Sequence, residues 1–236
     1  MKRKIILGFI VSMMCALVAC GNPQTNENPK DTTSQDEGKN NTDTEKESEA
    51  QNDDTSLSIE TLSKMKETSK DEFSYFTYEG VTYITEFVGD SECVIIPNEI
   101  DGTPVVEISN TAFRNNTNVI AVKIGDNVKK IGDYVFANCS SLEFVLFGNS
   151  VENLGEGAFV GCASVKEIRL NEGLLTIGNL AICEADVPTI IPRSVIEIGR
   201  NALSQPVKVY KGSYAESYIV DYANNYGAEF VYEIIE

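Results

Sequence analysis

Apolar positions fall into three regimes along this chain. Residues 5–18 form one short, mainly apolar run behind Lys2, Arg3 and Lys4. From Gly21 to Ser56 the only hydrophobic residue is Ala50, and the rest is Asn, Thr, Ser, Asp, Glu, Gln and Lys with scattered Gly and Pro. From Phe73 onward apolar residues return in short alternating bursts. "FSYFTYEGVTYITEF" (73–87) alternates on either side of Glu79-Gly80, which predicts a β-hairpin. "EIDGTPVVEI" (99–108) places Asp101-Gly102 between strand-like residues, a second hairpin signal.

Beyond that point the chain repeats itself. Ile108, Ile131, Leu154, Ile177 and Ile198 recur at spacings of 23, 23, 23 and 21 residues. Directly after each stands Ser109, Gly132, Gly155, Gly178 or Gly199. Four places on come Ala112, Val135, Ala158, Ala181 and Ala202, then Phe113, Phe136, Phe159, Ile182 and Leu203. Val122 with Ile124, Val145 with Phe147, and Ile168 with Leu170 form alternating pairs; Thr189 with Ile191 takes that place in the shorter fourth unit. Val128, Val151, Leu174 and Val195 add a column before each reference residue. Chance does not keep so many columns in phase.

A period of 20–29 residues with fixed apolar columns predicts a solenoid. One coil cannot bury its apolar side alone, and stacking makes the core continuous. The alternating pairs predict strands that join into a parallel sheet at about 4.8 Å spacing. The Gly column is expected to let the chain turn tightly into the core.

"VKKIGDYVFANCSSLEFVLF" (128–147) and "VENLGEGAFVGCASVKEIRL" (151–170) resemble the BspA-like class of leucine-rich repeats found on bacterial surface proteins. The resemblance runs from about Tyr75 to the end. It implies a mainly β, α+β leucine-rich repeat solenoid of about five 21–23-residue coils, with an N-terminal β-hairpin cap and a C-terminal helix-strand cap. Asn116 stands at the Cys place of the first unit, and Ala185 at that of the eroded fourth. The asparagine ladder of eukaryotic relatives is not kept, so their ligand habits do not transfer.

The tail reads as a cap on physical grounds too. Ser213 and Glu216 form a capping-box pair. Tyr214, Tyr218, Ile219, Tyr222, Ala223 and Tyr226 follow helical spacing, and Gly227 is expected to end the helix. "AEFVYEII" then reads as a strand.

The first regime predicts a lipoprotein signal peptide over 1–19, because the run is too short to span a bilayer comfortably. "LVAC" followed by Gly21 resembles a bacterial lipobox, which implies acylation of Cys20. Each buried methylene contributes about 0.8 kcal/mol, so two or more chains hold a protein on a membrane. Residues 20–70 are then expected to be a lipidated Cys and a disordered acidic linker, since they cannot offset their ordering entropy. About 50 such residues span about 40 Å on average. Within it "LSIETLSKMKETSK" (57–70) reads as a short helix of poor period. The repeat domain with its caps is placed at 71–236.

Charge and residue inventory narrow the function. With 36 Asp+Glu against 19 Lys+Arg, the net charge is −17. An anionic domain repels phosphate backbones, so no nucleic-acid partner is expected. The chain has no His, which removes Ser-His-Asp, Cys-His and His-zinc sites together. Acidic pairs for glycoside hydrolysis remain a distant alternative, but Asp126, Glu143, Glu167 and Glu172 sit at variable, solvent-type positions. No cofactor, metal site or catalytic residue is expected. Cys139 and Cys162 share one column and are expected as buried, unbridged thiols, with a disulfide between them as the alternative. Cys93 and Cys183 have no assignment.

The expected recognition face is the outward side of the strands. Lys123, Phe144, Leu146, Glu167, Arg169 and Ile190 point there, with Ala121 and Pro188. Phe144, Leu146 and Ile190 are apolar where a solvated face would carry charge, with Lys123 and Arg169 at the rim. A coil edge or cap lying over them is the competing explanation. The resemblance implies a protein partner of host, matrix or cell-surface origin, with adhesion as the activity and a membrane association through the N-terminal lipid. An envelope scaffold that binds the cell's own surface proteins is the alternative.

Overall fold

The computed structural model describes residues 57–183, 187–226 and 230–236. The expected signal peptide, Cys20, the linker as far as residue 56, Ala185 and Gly227 lie outside the described residues. The first described element is a single helical turn, α1 (Ile59–Leu62), which Ser58 caps by accepting from the Thr61 backbone N–H. Ile59 and Leu62 are both fully buried. Packed chain therefore begins upstream of residue 71.

Two hairpins follow, as the dipeptides foretell. β1 (Phe73–Tyr78) and β2 (Val81–Phe87) pair antiparallel. Glu79 (φ 49°) and Gly80 (φ 78°) both adopt the left-handed backbone that a two-residue hairpin loop needs. β3 (Cys93–Ile95) precedes the second hairpin, β4 (Glu99–Ile100) and β5 (Thr103–Ile108), turned at Asp101 and Gly102.

Each subsequent coil contributes two short strands rather than one. These are β6 (Ala121–Lys123) and β7 (Lys130–Ile131), β8 (Phe144–Leu146) and β9 (Asn153–Leu154), β10 (Glu167–Arg169) and β11 (Thr176–Ile177), then β12 (Thr189–Ile191) and β13 (Glu197–Ile198). β3, β6, β8 and β10 form one parallel ladder. β2, β5, β7, β9, β11 and β13 form the other, with β1 on its outer edge. The second ladder is the reference column itself. Its strands beyond β5 are two residues long, too short to show a period of two in the sequence.

β14 (Val207–Tyr210), α2 (Tyr214–Tyr226) and β15 (Tyr232–Ile235) complete the chain. Here the expected ladder breaks. β12 does not continue the row of β10 but belongs to a separate parallel sheet with β14 and β15. β12 starts 22 residues after β10, where β6, β8 and β10 start 23 apart, and it packs beside β10 without pairing to it.

The core is one continuous stack. Val122, Val145 and Ile168 point inward from the β6-β8-β10 ladder, opposite Ile131, Leu154 and Ile177. Between the ladders Phe87, Phe113, Phe136 and Phe159 lie ring on ring, with successive centroids 5.0, 5.0 and 5.2 Å apart. That spacing is close to the strand spacing, so one ring fills each coil.

The Gly column has a different purpose from the one its position implies. Left-handed residues lie two places further on, at Thr111, Tyr134, Gly157, Leu180 and Asn201, and again at Asn115, Asn138 and Gly161. A Cβ at Gly155 would run into the Gly132 backbone, and one at Gly178 into Gly155 and Glu156. The column allows close approach between coils. At the C-terminal end α2 packs on β13 and β14, burying Ala215 and Ile219. The capping box forms, with Glu216 N–H donating to Ser213 Oγ at 3.2 Å. The Glu216 carboxylate accepts from the Gly212 N–H at 2.6 Å, one residue earlier than the motif implies.

Candidate functional site

The register of the β3-β6-β8-β10 ladder arranges its outward side chains in two rows. One row is Cys93, Ala121, Phe144 and Glu167; the other is Ile95, Lys123, Leu146 and Arg169. The sequence reading places five of its six face residues here. The sixth, Ile190, is exposed on β12 and lies in the β12-β14-β15 sheet beside Lys208.

Cys93 and Ile95 were the residues that pattern reading missed. Their strand sits 28 residues before its successor, as the Asn98–Asp126 contact between the same two coils shows. The β4-β5 hairpin fills the extra length and puts the first coil out of phase with the others. The run "CVII" also hides the alternation.

The centre of this face is covered. Leu62, Ile95 and Ala121 form a small buried cluster of their own, with Leu57, Cys93, Phe144 and Leu146 packed against it. α1 lies across β6 and β8. Ala121, an outward residue, is thus fully buried. The covering explanation holds for the apolar centre, and the cover is segment 57–70, which composition had assigned to the linker.

The rim is charged and paired. Arg169 Nη2 donates to Glu167 Oε1 at 2.7 Å and to Glu60 Oε1 at 3.0 Å, so it joins the strand to the covering helix. The Glu60 carboxyl lies below its ordinary value, held there first by its own backbone N–H and next by Arg169. Lys166 pairs with Glu143 at 2.7 Å and stands 5.9 Å above the Phe144 ring. Exposed pairs of this kind contribute little to stability and more to the choice of partner.

A polar ladder runs elsewhere on the coils. The Asp133 N–H donates to Asn110 Oδ1, the Glu156 N–H to Asp133 Oδ1, and the Arg200 N–H to Asn179 Oδ1, each at 2.8 Å. The Tyr134 hydroxyl donates to Glu156, and with Asn179 it holds that carboxyl below its usual range. Glu156, Asn179, Leu180, Arg200 and Asn201 line a shallow groove there. Each side-chain acceptor satisfies the next coil's backbone, a structural task with an evident physical reason. Among the described residues no group of three or more His, Cys, Asp or Glu is placed to hold a metal ion.

Stacked coils with two short parallel ladders and a continuous core define a leucine-rich repeat solenoid. Six copies of the BspA type leucine rich repeat region match residues 91–210, and the chain belongs to that family. Among solved structures it is similar to the T. pallidum leucine-rich repeat protein TpLRR, at 28% identity and a TM-score of 0.58, over 61% of this chain and 71% of that one. It is also similar to a leucine-rich repeat protein from Bacteroides ovatus, at 29% identity and a TM-score of 0.50, over 60% of this chain but only 40% of that one. No curated protein matches.

Proposed function

We propose that this is a lipid-anchored cell-surface protein whose solenoid recognises protein partners, with adhesion to host, matrix or other cells as the activity. A leucine-rich repeat solenoid supports protein binding as its general task. The observation that carries the reading is the outward pair Phe144 and Leu146, flanked by Lys123 and Arg169 on a rigid ladder and still only half-buried under α1. An apolar centre with a charged rim is the anatomy of a recognition site. The anchor rests on "LVAC" ending at Cys20.

Binding of the full chain to a panel of matrix and cell-surface proteins tests the reading. A Lys123→Glu/Leu146→Asp/Arg169→Glu variant, shown by circular dichroism to fold, runs beside it. Binding that the variant loses supports the proposal. No binding by the native chain, together with cross-links in intact cells to the cell's own envelope proteins, replaces adhesion with a scaffold role. For the anchor, Cys20→Ala should abolish incorporation of labelled fatty acid and release the protein from the membrane fraction.

A further inference from the structure

The covering segment has two parts with different attachments. Glu67 and Thr68 fasten to the edge strand β3 and the turn that follows it. The Thr68 N–H donates to the Ile95 carbonyl at 3.0 Å, the Ile95 N–H donates to Thr68 Oγ1 at 2.9 Å, and the Asn98 N–H donates to Glu67 Oε1 at 2.9 Å. These bonds satisfy the open edge of β3, as a cap must. Residues 57–62 do something else. They extend past the edge and lie over β6 and β8, strands that already have ladder partners on both sides.

Four residues cannot hold a helix by themselves, because nucleation is unfavourable and no propagation follows. The turn at Ile59–Leu62 therefore exists because the face accepts it. Its fit is specific. Ile59 and Leu62, three residues apart, are buried to 0% exposure; Glu60 meets Arg169 at 3.0 Å; Ser58 caps the turn. The cluster under it is separate from the main core, so the solenoid does not need it to close. Ser63 to Lys66, between the roof and its fastening, are all exposed.

We infer that residues 57–62 are a tethered internal ligand, which fills the recognition face in cis and shows what the face is built to take. That ligand is a capped helical turn of a protein partner, with two apolar anchors three residues apart and an acidic residue directly after the first. This rests on the recognition reading above and names its partner class. The mode is a helix laid into an apolar groove, where anchors at helical spacing supply affinity and a charge pair sets the orientation. An external partner competes with a segment already tethered at high effective concentration, so its apparent affinity is the intrinsic affinity multiplied by the fraction of time the roof is open.

The test uses the full chain and a fluorescent synthetic peptide of residues 56–66. Ile59→Asp/Leu62→Asp should lift the roof and leave the circular dichroism of the solenoid intact. The released variant is expected to bind the peptide, and the native chain to bind it at least about tenfold more weakly, since its face is filled. Leu146→Asp added to the released variant should abolish binding. Maleimide labelling of Cys93, which packs against the roof cluster, should quicken about tenfold on release. No peptide binding by the released variant, or equal binding by native and released chains, overturns the inference. Should the released variant fail to fold, native-state hydrogen exchange decides. Amides of 59–62 exchanging well before those of the coils supports a displaceable roof, and exchange in step with the core overturns it. The partner panel plays no part here, so the recognition reading and this inference fail separately.

Discussion

The Cys162 thiol donates to the carbonyl oxygen of Phe136, one coil earlier, at 3.0 Å. Cys139 repeats the bond to Phe113 at 3.1 Å. Both thiols are buried and unbridged, so the column serves packing and backbone satisfaction together. Cys162→Ala removes volume from a stacked core and takes a donor from a buried carbonyl. A loss of about 1–3 kcal/mol is expected, read from the urea midpoint at constant slope.

Burial pushes the Cys139 thiol up to about 12 from an ordinary 9. The neutral thiol is thus favoured in the folded state. Its contribution is fully present below pH 9 and is lost as pH rises from 9 toward 12. Cys139→Val should accordingly show a shallower fall in stability across that window. At pH 8 the native protein should label at Cys93 well before Cys139, measured by peptide mass mapping.

Phe136 lies between Phe113 and Phe159, at 5.0 and 5.2 Å. Phe136→Ala should cost about 3–5 kcal/mol, because the ring's volume is shared by two rigid neighbours that cannot collapse into it. Thermal unfolding of the variant, beside Phe76→Ala, whose ring stacks on Tyr83 but is half exposed, separates the cost of a buried cavity from the loss of a stacked pair.

Two backbone substitutions should move stability in opposite directions. Gly155→Ala drives a Cβ into the Gly132 backbone, and overpacking of this kind costs about 1–3 kcal/mol. Thr111 is an exposed β-branched residue at φ 64°, a conformation such residues rarely hold. Thr111→Gly should stabilise by up to about 1 kcal/mol. Urea titration of both variants checks the pair.

Much of this architecture is written in the sequence by repetition. The columns at Ile131, Val135, Phe136 and Val145 fix the coil, because identical layers are the arrangement in which each apolar side finds a partner. Glu79-Gly80 and Asp101-Gly102 fix the hairpins through local backbone preference, and Ser213 with Glu216 fixes the start of α2 through capping. These signals are short-range or periodic, and a linear reading detects both kinds.

Tertiary structure alone decided what the repeats do not encode. The second parallel ladder came from segments too short to alternate. The pairing of β12 with β14 instead of β10 came from contacts between segments that no column of the repeat records. The cover over Phe144 and Leu146 came from a segment with no period of its own, whose two buried anchors gain their meaning from a groove several coils away in sequence. The order of columns determined which residues face outward. Which of those reach solvent was settled by packing between distant segments, because burial is a property of neighbours in space.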